Sequence, residues 1–447
     1  MKKFALLLML GFFGFLSAQN PDYKKSIDSL MDYFQKNNAF SGSILLQKDG
    51  ETLYKGNFNK FGNASENYRI GSVTKIFTAI IIFQLIEDGK LALDTKLNQF
   101  YPSVKYSDRI TIGNMLNHTS GIHDYLEWEE YYSKKKNIFS KEDLLNLINS
   151  QKPDFKPNND SSYSNSNYIL LGYIIEKITG KSFEDNLKDR IINKTGLKNT
   201  YYEKSENEYS KRNISYQYNG ENWVKEPETN PSLSLAAGAI VSTTEDLTKL
   251  MNSLFNGKLV SEKSLAQMEK MDTKNYGYGL HKAPFYEKKG FGHTGRIDES
   301  RSVVGYFPDD KIALAIVSNG NTVNTNQLAI GILSKYYQKK YTYPDFTEYE
   351  SKTALSTEKF TGVYKAKLAG IVTIAKFHIS QAGKNHLFLS MYNNGKDSEK
   401  RLLIRKDENY FYSPESKAEF HFLSDKKGII TGIKLVQGKQ SINCKKI

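Results

Sequence analysis

The chain has 447 residues, of which 39% are hydrophobic and 25% charged, and its 62 Lys and Arg against 49 Asp and Glu give a net charge of +13. This composition excludes a wholly disordered chain, a coiled coil and a protein with many membrane spans. The single cysteine, Cys444, excludes an intramolecular disulfide framework and a cysteine-rich zinc site. No segment combines clustered Lys and Arg with interleaved aromatic residues, so we expect no nucleic-acid partner. A lysine-rich surface explains the charge, and attraction to anionic cell-wall polymers is the alternative.

Residues 1–19 read MKKFALLLMLGFFGFLSAQ and have the three parts of a secretory signal peptide. Lys2 and Lys3 form a charged start, an apolar run follows to Leu16, and Ser17 and Ala18 supply small residues near a cleavage site. The apolar run is shorter than the ~18–20 residues that span a bilayer, which favours cleavage over an anchor helix. We therefore expect export to the periplasm or the extracellular space.

Hydrophobic periodicity predicts one α+β domain after the signal peptide. In chain order, we expect a helix at 21–38, strands at 41–46 and 52–58, helices at 72–87, 141–149, 168–179 and 244–256, strands at 302–307 and 312–317, and a helix at 325–339. The helix at 72–87 is apolar on nearly every side, which is typical of a helix buried in the centre of a large domain. Strands at both ends of the domain, with helices between, predict one antiparallel sheet flanked by helices.

The pattern changes near residues 341–358, and only short strands follow. They are expected at 362–364, 371–380, 386–392, 401–405, 410–412, 419–423 and 429–436. Their even spacing predicts a small closed barrel of about eight strands. The predicted organisation is therefore a signal peptide at 1–19, an α+β domain at 20–345 and a lipocalin-like β-barrel at 355–447, which we expect to be separable from the chemistry.

A Ser-x-x-Lys motif at Ser72 and Lys75 opens the apolar helix. Residues three apart share a helix face, and a lysine amine without water around it has a lowered pKa, so Lys75 could take the proton of Ser72. The string occurs three more times, from Ser133, Ser356 and Ser424, always in polar or charged segments. The structural alternative for Ser72 and Lys75 is a helix-capping serine beside a lysine that reaches solvent.

Two further motifs could line the same cleft. Tyr163 and Asn165 lie in a predicted polar loop before a helix, where a phenol could transfer a proton and an amide could hold a substrate amide. His293 and Thr294, followed by Gly295, precede a predicted strand, and a cation or hydroxyl there suits a substrate carboxylate. An unperturbed imidazole titrates near about 6.5, so we expect binding of a carboxylate by His293 to weaken as the pH rises through that value.

These motifs and their surroundings resemble the serine β-lactamase and penicillin-binding-protein family. The resemblance is to the class C β-lactamase-like, peptidase S12-type branch, which includes D-Ala-D-Ala carboxypeptidases, D-amino-acid peptidases and esterases. It spans about residues 25–340 and is carried by residues 68–78, 112–122, 163–168, 171–176 and 237–243. The family's fold is an antiparallel sheet with a mostly helical subdomain, and the cleft lies between them.

The resemblance implies roles for the residues of the first two motifs. Ser72 would be the acylated nucleophile and Lys75 the base that deprotonates it. Tyr163 would relay a proton to the leaving group and activate the hydrolytic water, and Asn165 would bind a substrate amide. No metal and no cofactor are implied.

The remaining implied residues lie near the third motif. His293, Thr294 and Gly295 would face the far end of the substrate, and the backbone N–H groups of Ser72 and Arg296 would form the oxyanion hole. The literal Lys-Thr-Gly string of many relatives occurs at 194–196, but we interpret it as the end of a helix, with no strand after it.

After Gly295 the sequence departs from the family pattern, because residues 296–301 place bulky charged groups at one rim of the cleft. The predicted function is an exported serine hydrolase that forms an acyl-enzyme with a small-molecule, peptide, D-amino-acid peptide or ester substrate. A true class C β-lactamase and an inactive penicillin-recognition module are the alternatives. The sequence does not predict an oligomeric state.

Overall fold

The computed structural model describes residues 23–61, 65–128, 130–272, 274–349, 356–368, 372–393, 396–397 and 400–447. The predicted signal peptide at 1–19 lies outside the described residues. Within these ranges, the helices are all too short or too polar to cross a lipid bilayer.

The helices lie almost entirely in the first three quarters of the chain. They are α1 (Tyr23–Lys36), α2 (Thr74–Glu87), α3 (Ile112–Leu116), α4 (Tyr131–Lys134), α5 (Lys141–Ser150), α6 (Asn165–Thr179), α7 (Phe183–Leu187), α8 (Asn193–Thr195), α9 (Leu235–Gly238), α10 (Thr244–Phe255), α11 (Glu262–Met268) and α12 (Thr325–Tyr336).

The strands fall into two groups, one on each side of α12. The first group is β1 (Phe40–Lys48), β2 (Glu51–Asn57), β3 (Tyr68–Arg69), β4 (Tyr201–Tyr202), β5 (Tyr216–Tyr218), β6 (Trp223–Lys225), β7 (Ile240–Ser242), β8 (His281–Lys282), β9 (Phe291–Ile297), β10 (Ser300–Phe307) and β11 (Ile312–Asn321). The second group is β12 (Gly362–Leu368), β13 (Val372–Ala382), β14 (His386–Asn393), β15 (Lys396–Asp397), β16 (Arg401–Arg405), β17 (Tyr410–Ser413), β18 (Ala418–Ser424), β19 (Ile430–Gln437) and β20 (Gln440–Lys446).

The main sheet joins strands from both ends of the first domain. Its order is β2-β1-β11-β10-β9-β8 with antiparallel neighbours, and Leu46 of β1 pairs with Leu314 of β11. Alternate residues face opposite layers, so Val303 and Phe307 of β10 pack with α1 and α12, whereas Val304 packs with the helical side that contains α2. The predicted α+β fold with an antiparallel main sheet is confirmed, and two small sheets, β3-β7-β4 and β5-β6, add to it.

Helix α2 lies in the centre of the larger core. Every residue from Thr74 to Leu85 is buried, as its all-round apolar sequence predicts. A 3₁₀ turn, Gly71–Val73, precedes the helix, so Ser72 lies on this turn and Lys75 on the first turn of the helix proper. This arrangement keeps the serine at the surface of the core and buries the lysine within it.

In the described residues, eight strands close the C-terminal barrel. Each of β12, β13, β14 and β16 to β20 pairs with its neighbours, and β20 pairs with β12. The last strand, β20, lies outside the individually predicted ranges. The interior is filled by apolar side chains such as Phe360, Phe411 and Phe420.

The barrel shares a hydrophobic core with the first domain. Its Phe388, Leu402 and Ile404 belong to the same cluster as Phe346 and residues of α1 and α12. Polar contacts surround this core: Gln327 Nε2 donates to the Glu415 carbonyl at 2.9 Å, and Lys406 Nζ donates to the Thr347 carbonyl at 2.5 Å. The sequence pattern changes near residues 341–358, and the structure shows that Phe346 of this segment is buried in the shared core.

A chain of residues 20–345 is expected to keep the main sheet but to lose solubility and stability. The truncation removes the apolar partners of α1 and α12, and burial of each such side chain contributes about 1.5–3 kcal/mol. We expect self-association and a fall in the thermal midpoint on the order of 5 °C. Light scattering and circular dichroism measure both; a monomeric truncation with an unchanged midpoint would show that the shared core does not stabilise the first domain.

Candidate active site

The amine of Lys75 lies at the centre of the candidate site. Its side chain is completely buried, and Nζ lies 3.1 Å from Ser72 Oγ. Nζ also donates to Asn165 Oδ1 at 2.7 Å and to the Ala237 carbonyl at 2.8 Å. Both of these oxygens are acceptors only, so in the neutral amine they take the two N–H groups and leave the lone pair for the Ser72 hydroxyl proton.

Burial lowers the pKa of Lys75 to about 7, and the negative charge of Asp124 opposes this effect. An amine with a pKa near neutral can accept a proton from serine and return it later, whereas an ordinary lysine would stay protonated. The alternative of a lysine that reaches solvent is wrong, because Lys75 has no exposed surface.

Asp124 supports the lysine through Asn165. Asn165 Nδ2 donates to Asp124 Oδ2 at 2.8 Å, while its Oδ1 accepts from Lys75. The backbone N–H of Leu126 also donates to Asp124, and burial raises the pKa of this carboxyl group. Asn165 is the first residue of α6, which begins three residues earlier than predicted, so its side chain is fixed by a helix rather than held in a loop.

Tyr163 lies beside the lysine, with Lys75 Nζ 4.9 Å from the centre of its ring. Its hydroxyl oxygen is buried and faces the Ser72 side chain. Burial raises the pKa of Tyr163 well above 10, and the nearby Ser72 side chain partly opposes the shift. The phenol therefore keeps its proton at neutral pH, which suits a proton relay and makes Lys75 the better base for Ser72.

His293 is a neutral imidazole in this site. Burial lowers its pKa well below 6.5, and the neighbouring His281 and Lys75 lower it further. The prediction that His293 titrates near 6.5 is therefore wrong, whereas the binding of a substrate carboxylate in this part of the cleft stays a prediction. Its Nδ1 lies 2.5 Å from the Thr294 carbonyl, which can only accept, so Nδ1 carries the proton and Nε2 is an acceptor.

The backbone of Arg296 lies against the turn that carries Ser72. Gly71 has φ +50°, and a Cβ at this position would lie 2.7 Å from Arg296 N. Gly295 lies even closer to this turn, because a Cβ there would lie 1.9 Å from the Ile70 carbonyl oxygen. Only glycine allows β9 and the Gly71–Val73 turn to approach this closely, and the approach brings Arg296 N, one predicted oxyanion donor, next to the turn that contains the other, Ser72.

A buried ion network holds this wall. Asp298 accepts from Arg69 Nη1 at 3.2 Å and from Lys135 Nζ at 2.7 Å, and its side chain is 2% exposed. Arg69 Nε also pairs with Glu203 at 2.7 Å. Glu299 likewise forms an ion pair with Arg296 at 3.0 Å. The two carboxylates of the predicted charged rim, Asp298 and Glu299, are thus paired with cations of the same chain.

Ser72 lies between two cavities. One of about 230 Å³ is lined by Gly71, Ser72, Tyr125, Leu126, Tyr131, Asn165, Ser234, Ala237, Gly238, Arg296, Ile297 and Asp298. The other, of about 420 Å³, is lined by Ser72, Tyr163, Tyr276, His281, His293, Thr294, Gly295, Arg296, Arg301, Asn324, Thr325 and Asn326. The structure therefore brings the predicted site residues together around Ser72: all of them line one of these cavities except Lys75, which lies buried behind Ser72. Groups of three or more His, Cys, Asp and Glu arranged to hold a metal ion are absent from the part of the chain that the structure describes.

Sequence reasoning missed Asp124, His281 and His118. The ring of His281 lies 3.9 Å from that of His293 between centres, and the ring of His118 lies 4.5 Å from that of Tyr163; both pairs are tilted rather than stacked. No short spacing in the sequence signals these contacts. The interpretation of the Lys-Thr-Gly string at 194–196 as a helix end is confirmed, because Gly196 has φ +67° and ends α8. The prediction that no strand follows it is wrong, because the two-residue strand β4 begins at Tyr201 and pairs with β7.

Comparisons with known proteins identify the family of the chain. The family model described as Beta-lactamase matches residues 27–334. The chain is 25% identical over 378 residues to penicillin-binding protein 4* of Bacillus subtilis (strain 168), which covers 76% of this chain and 83% of that protein. It is 27% identical over 319 residues to the teichoic acid D-alanine hydrolase of Staphylococcus aureus (strain MRSA252), covering 68% of this chain and 76% of that protein.

A solved structure gives a similar result. The D-amino acid amidase from Ochrobactrum anthropi SV3, complexed with L-phenylalanine, has a TM-score of 0.63 and 25% identity, covering 71% of this chain and 99% of that one. The family and these relatives point to a serine hydrolase.

The acylation rate is expected to rise with pH through about 7. Lys75 must be neutral to accept the Ser72 proton, and its pKa is about 7, so the protonated amine below that pH is inactive as a base. The measurement is the rate of labelling by a fluorophosphonate, which has no titrating group, from pH 5 to 9. A rate that does not change with pH over this range would exclude Lys75 as the base.

Asp124→Asn is expected to move the acid limb of this profile to lower pH. The negative charge of Asp124 raises the pKa of Lys75, so its removal favours the neutral amine, while the oxygen of the introduced amide can still accept from Asn165. The matched control is Asp154→Asn, which removes a partly exposed carboxylate that pairs with His123. A shift of equal size in both variants would mean that only net charge matters and that Asp124 has no specific effect on Lys75.

Proposed function

The chain belongs to the Beta-lactamase family, and we propose that it is a serine hydrolase that cleaves an amide or ester through an acyl-enzyme on Ser72. The observation that carries this proposal is the geometry of Lys75, a buried amine with a pKa of about 7 whose Nζ lies 3.1 Å from Ser72 Oγ. A serine needs such a base to become a nucleophile.

In the acylation step, Ser72 Oγ transfers its proton to Lys75 Nζ and forms a bond to the substrate carbonyl carbon. The carbonyl oxygen becomes an oxyanion, which the backbone N–H groups of Ser72 and Arg296 stabilise. When the bond to the leaving nitrogen or oxygen breaks, the proton on Lys75 passes to the leaving group, and the phenol of Tyr163 relays it.

Deacylation repeats these transfers with water. Water attacks the ester carbonyl of the acyl-enzyme, and its proton goes through Tyr163 to Lys75. The bond from the carbonyl carbon to Ser72 Oγ then breaks, and Lys75 returns a proton to that oxygen. The products are a carboxylic acid and an amine or alcohol, and the enzyme returns to its starting protonation state.

The substrate class that we favour is a small amide, peptide or ester of a D-amino acid. Two relatives are named as a teichoic acid D-alanine hydrolase and a D-amino acid amidase, which supports a D-configured acyl group. Asn165 would bind a substrate amide, and Thr294 and Gly295 would contact the far end of the substrate. His293 would contribute an uncharged acceptor rather than a cation.

We further propose that residues 1–19 direct export and that the enzyme acts in the periplasm or outside the cell. The sequence pattern of a charged start, an apolar run and small residues supports this location. A cell-wall polymer that carries D-amino-acid esters or peptides is a substrate source of matching chemistry.

Ser72→Ala is expected to abolish turnover, by at least about 10³-fold, while the fold is retained, because only one oxygen is lost. Intact-mass spectrometry after exposure to a fluorophosphonate, a penicillin and a D-alanyl ester shows which reagents acylate the wild type and which adducts are released. Wild-type activity in Ser72→Ala would overturn the assignment of the nucleophile.

Ser133→Ala is the matched control, because Ser133 begins another Ser-x-x-Lys string on the exposed surface of α4 and donates to the Glu130 carbonyl. We expect wild-type labelling in this variant. Rapid release of the penicillin adduct would favour a class C β-lactamase, and a wild type that none of the three reagents labels would favour an inactive recognition module.

A further inference from the structure

An apolar cavity adjoins the catalytic cleft. It has a volume of about 330 Å³ and lies between the main sheet and α12, a size within the roughly 300–1,000 Å³ of small-molecule sites. Its apolar walls include Phe285, Val303, Phe307, Leu314, Ala329 and Leu333. We call this cavity the α12 pocket.

The α12 pocket shares a wall with the larger of the two cavities at Ser72. His281, His293, Thr294 and Asn326 line both spaces. A molecule with its reacting carbonyl at Ser72 can therefore extend past Thr294 and Asn326 into the pocket. This continuity links the pocket to the site of the chemistry.

A glycine on β10 creates the space. Along this strand Val303, Gly305 and Phe307 alternate onto the face that α12 covers, and Gly305 pairs with Gly292 of β9. A Cβ at Gly305 would meet no atom within 4 Å, and its φ lies outside the left-handed region. A side chain would therefore fit there without strain, and its absence leaves this space open. Glycine within a strand often marks the approach of a ligand.

The junction between cleft and pocket is uncharged. The rings of His281 and His293 lie in tilted contact with 3.9 Å between their centres, and a positive charge on one ring would disfavour a positive charge on the other. Burial lowers the pKa of His281 to about 4 and that of His293 well below 6.5. Among the residues that line the pocket, Lys282 is the one lysine or arginine, and it is exposed to solvent. An apolar group can pass this junction without facing a buried charge.

We propose that the α12 pocket is an apolar subsite, which binds an alkyl chain or aromatic ring at one end of the substrate cleaved at Ser72. The inference rests on the proposed function and narrows its substrate class to amphipathic esters or amides. Their polar centre lies in the cleft, and their hydrocarbon end lies between β10 and α12.

The test uses two series of esters with the full-length protein. One series lengthens the acyl chain of p-nitrophenyl esters from two to eight carbons, and the other lengthens the alcohol of D-alanine alkyl esters. Only the series that lengthens the end lying in the α12 pocket should respond. In that series we expect kcat/KM to rise about fourfold per added methylene over the first few carbons, mainly through a lower KM. Gly305→Leu fills the pocket and is expected to remove this gain, while the shortest esters react within about twofold of the wild-type rate.

Gly305→Ala is the graded control and is expected to keep most of the gain. Ala329→Leu narrows the pocket from α12 and is expected to reproduce the effect of Gly305→Leu, which keeps the test decisive if a strand variant fails to fold. A flat response in both series, or an unchanged slope in Gly305→Leu, would overturn the subsite and leave the pocket to an apolar side chain of a partner. If the wild type hydrolysed none of the esters and was not labelled at Ser72, this result would instead contradict the proposed function.

Discussion

The burial of one amine, that of Lys75, organises the site. A charged lysine is costly in an apolar core, and this cost moves its pKa to about 7. A neutral buried amine still has two N–H groups that need acceptors. Asn165 Oδ1 and the Ala237 carbonyl accept from them. These two partners come from α6 and α9, so the packing of both helices on α2 is also the packing that prepares the base.

The opposite wall of the cleft depends on charge rather than on apolar packing. Arg69 lies three residues before Ser72, and its ion pairs with Glu203 and Asp298 fasten the strand before the nucleophile to the turn after Arg296. A buried pair of this kind contributes little net stability, but breaking it by removing one partner costs about 3–5 kcal/mol. Its effect here is to fix the distance between the nucleophile and the N–H group of Arg296.

The positions of Ser72 and Lys75 could be predicted from sequence, because the helix that contains them has a pattern visible within a short stretch of chain. The all-round apolar pattern of α2 identified Ser72 among four Ser-x-x-Lys strings, and a glycine at the end of a helical pattern excluded the string at 194–196. Asp124 could not be found in this way, since it meets Asn165 across 41 residues of chain. The neutral state of His293 and the shared core at Phe346 were equally unpredictable, because burial is a property of the folded chain.

The order of the strands has a consequence for folding kinetics. The first strand of the main sheet pairs with the last, Phe40 with Asn321, and the ion pairs that hold the cleft join residues 134, 163 and 229 positions apart. Contacts between residues so distant in the chain form late, because the entropy of closing long loops must be lost first. During synthesis, which begins at the N-terminus, the chain can form helix α2 locally, with Ser72 and Lys75 on adjacent turns, long before β9 has been synthesised. The nucleophile and its base thus precede the oxyanion site during folding, and an incomplete chain contains the reactive serine motif without the geometry that makes it a catalyst.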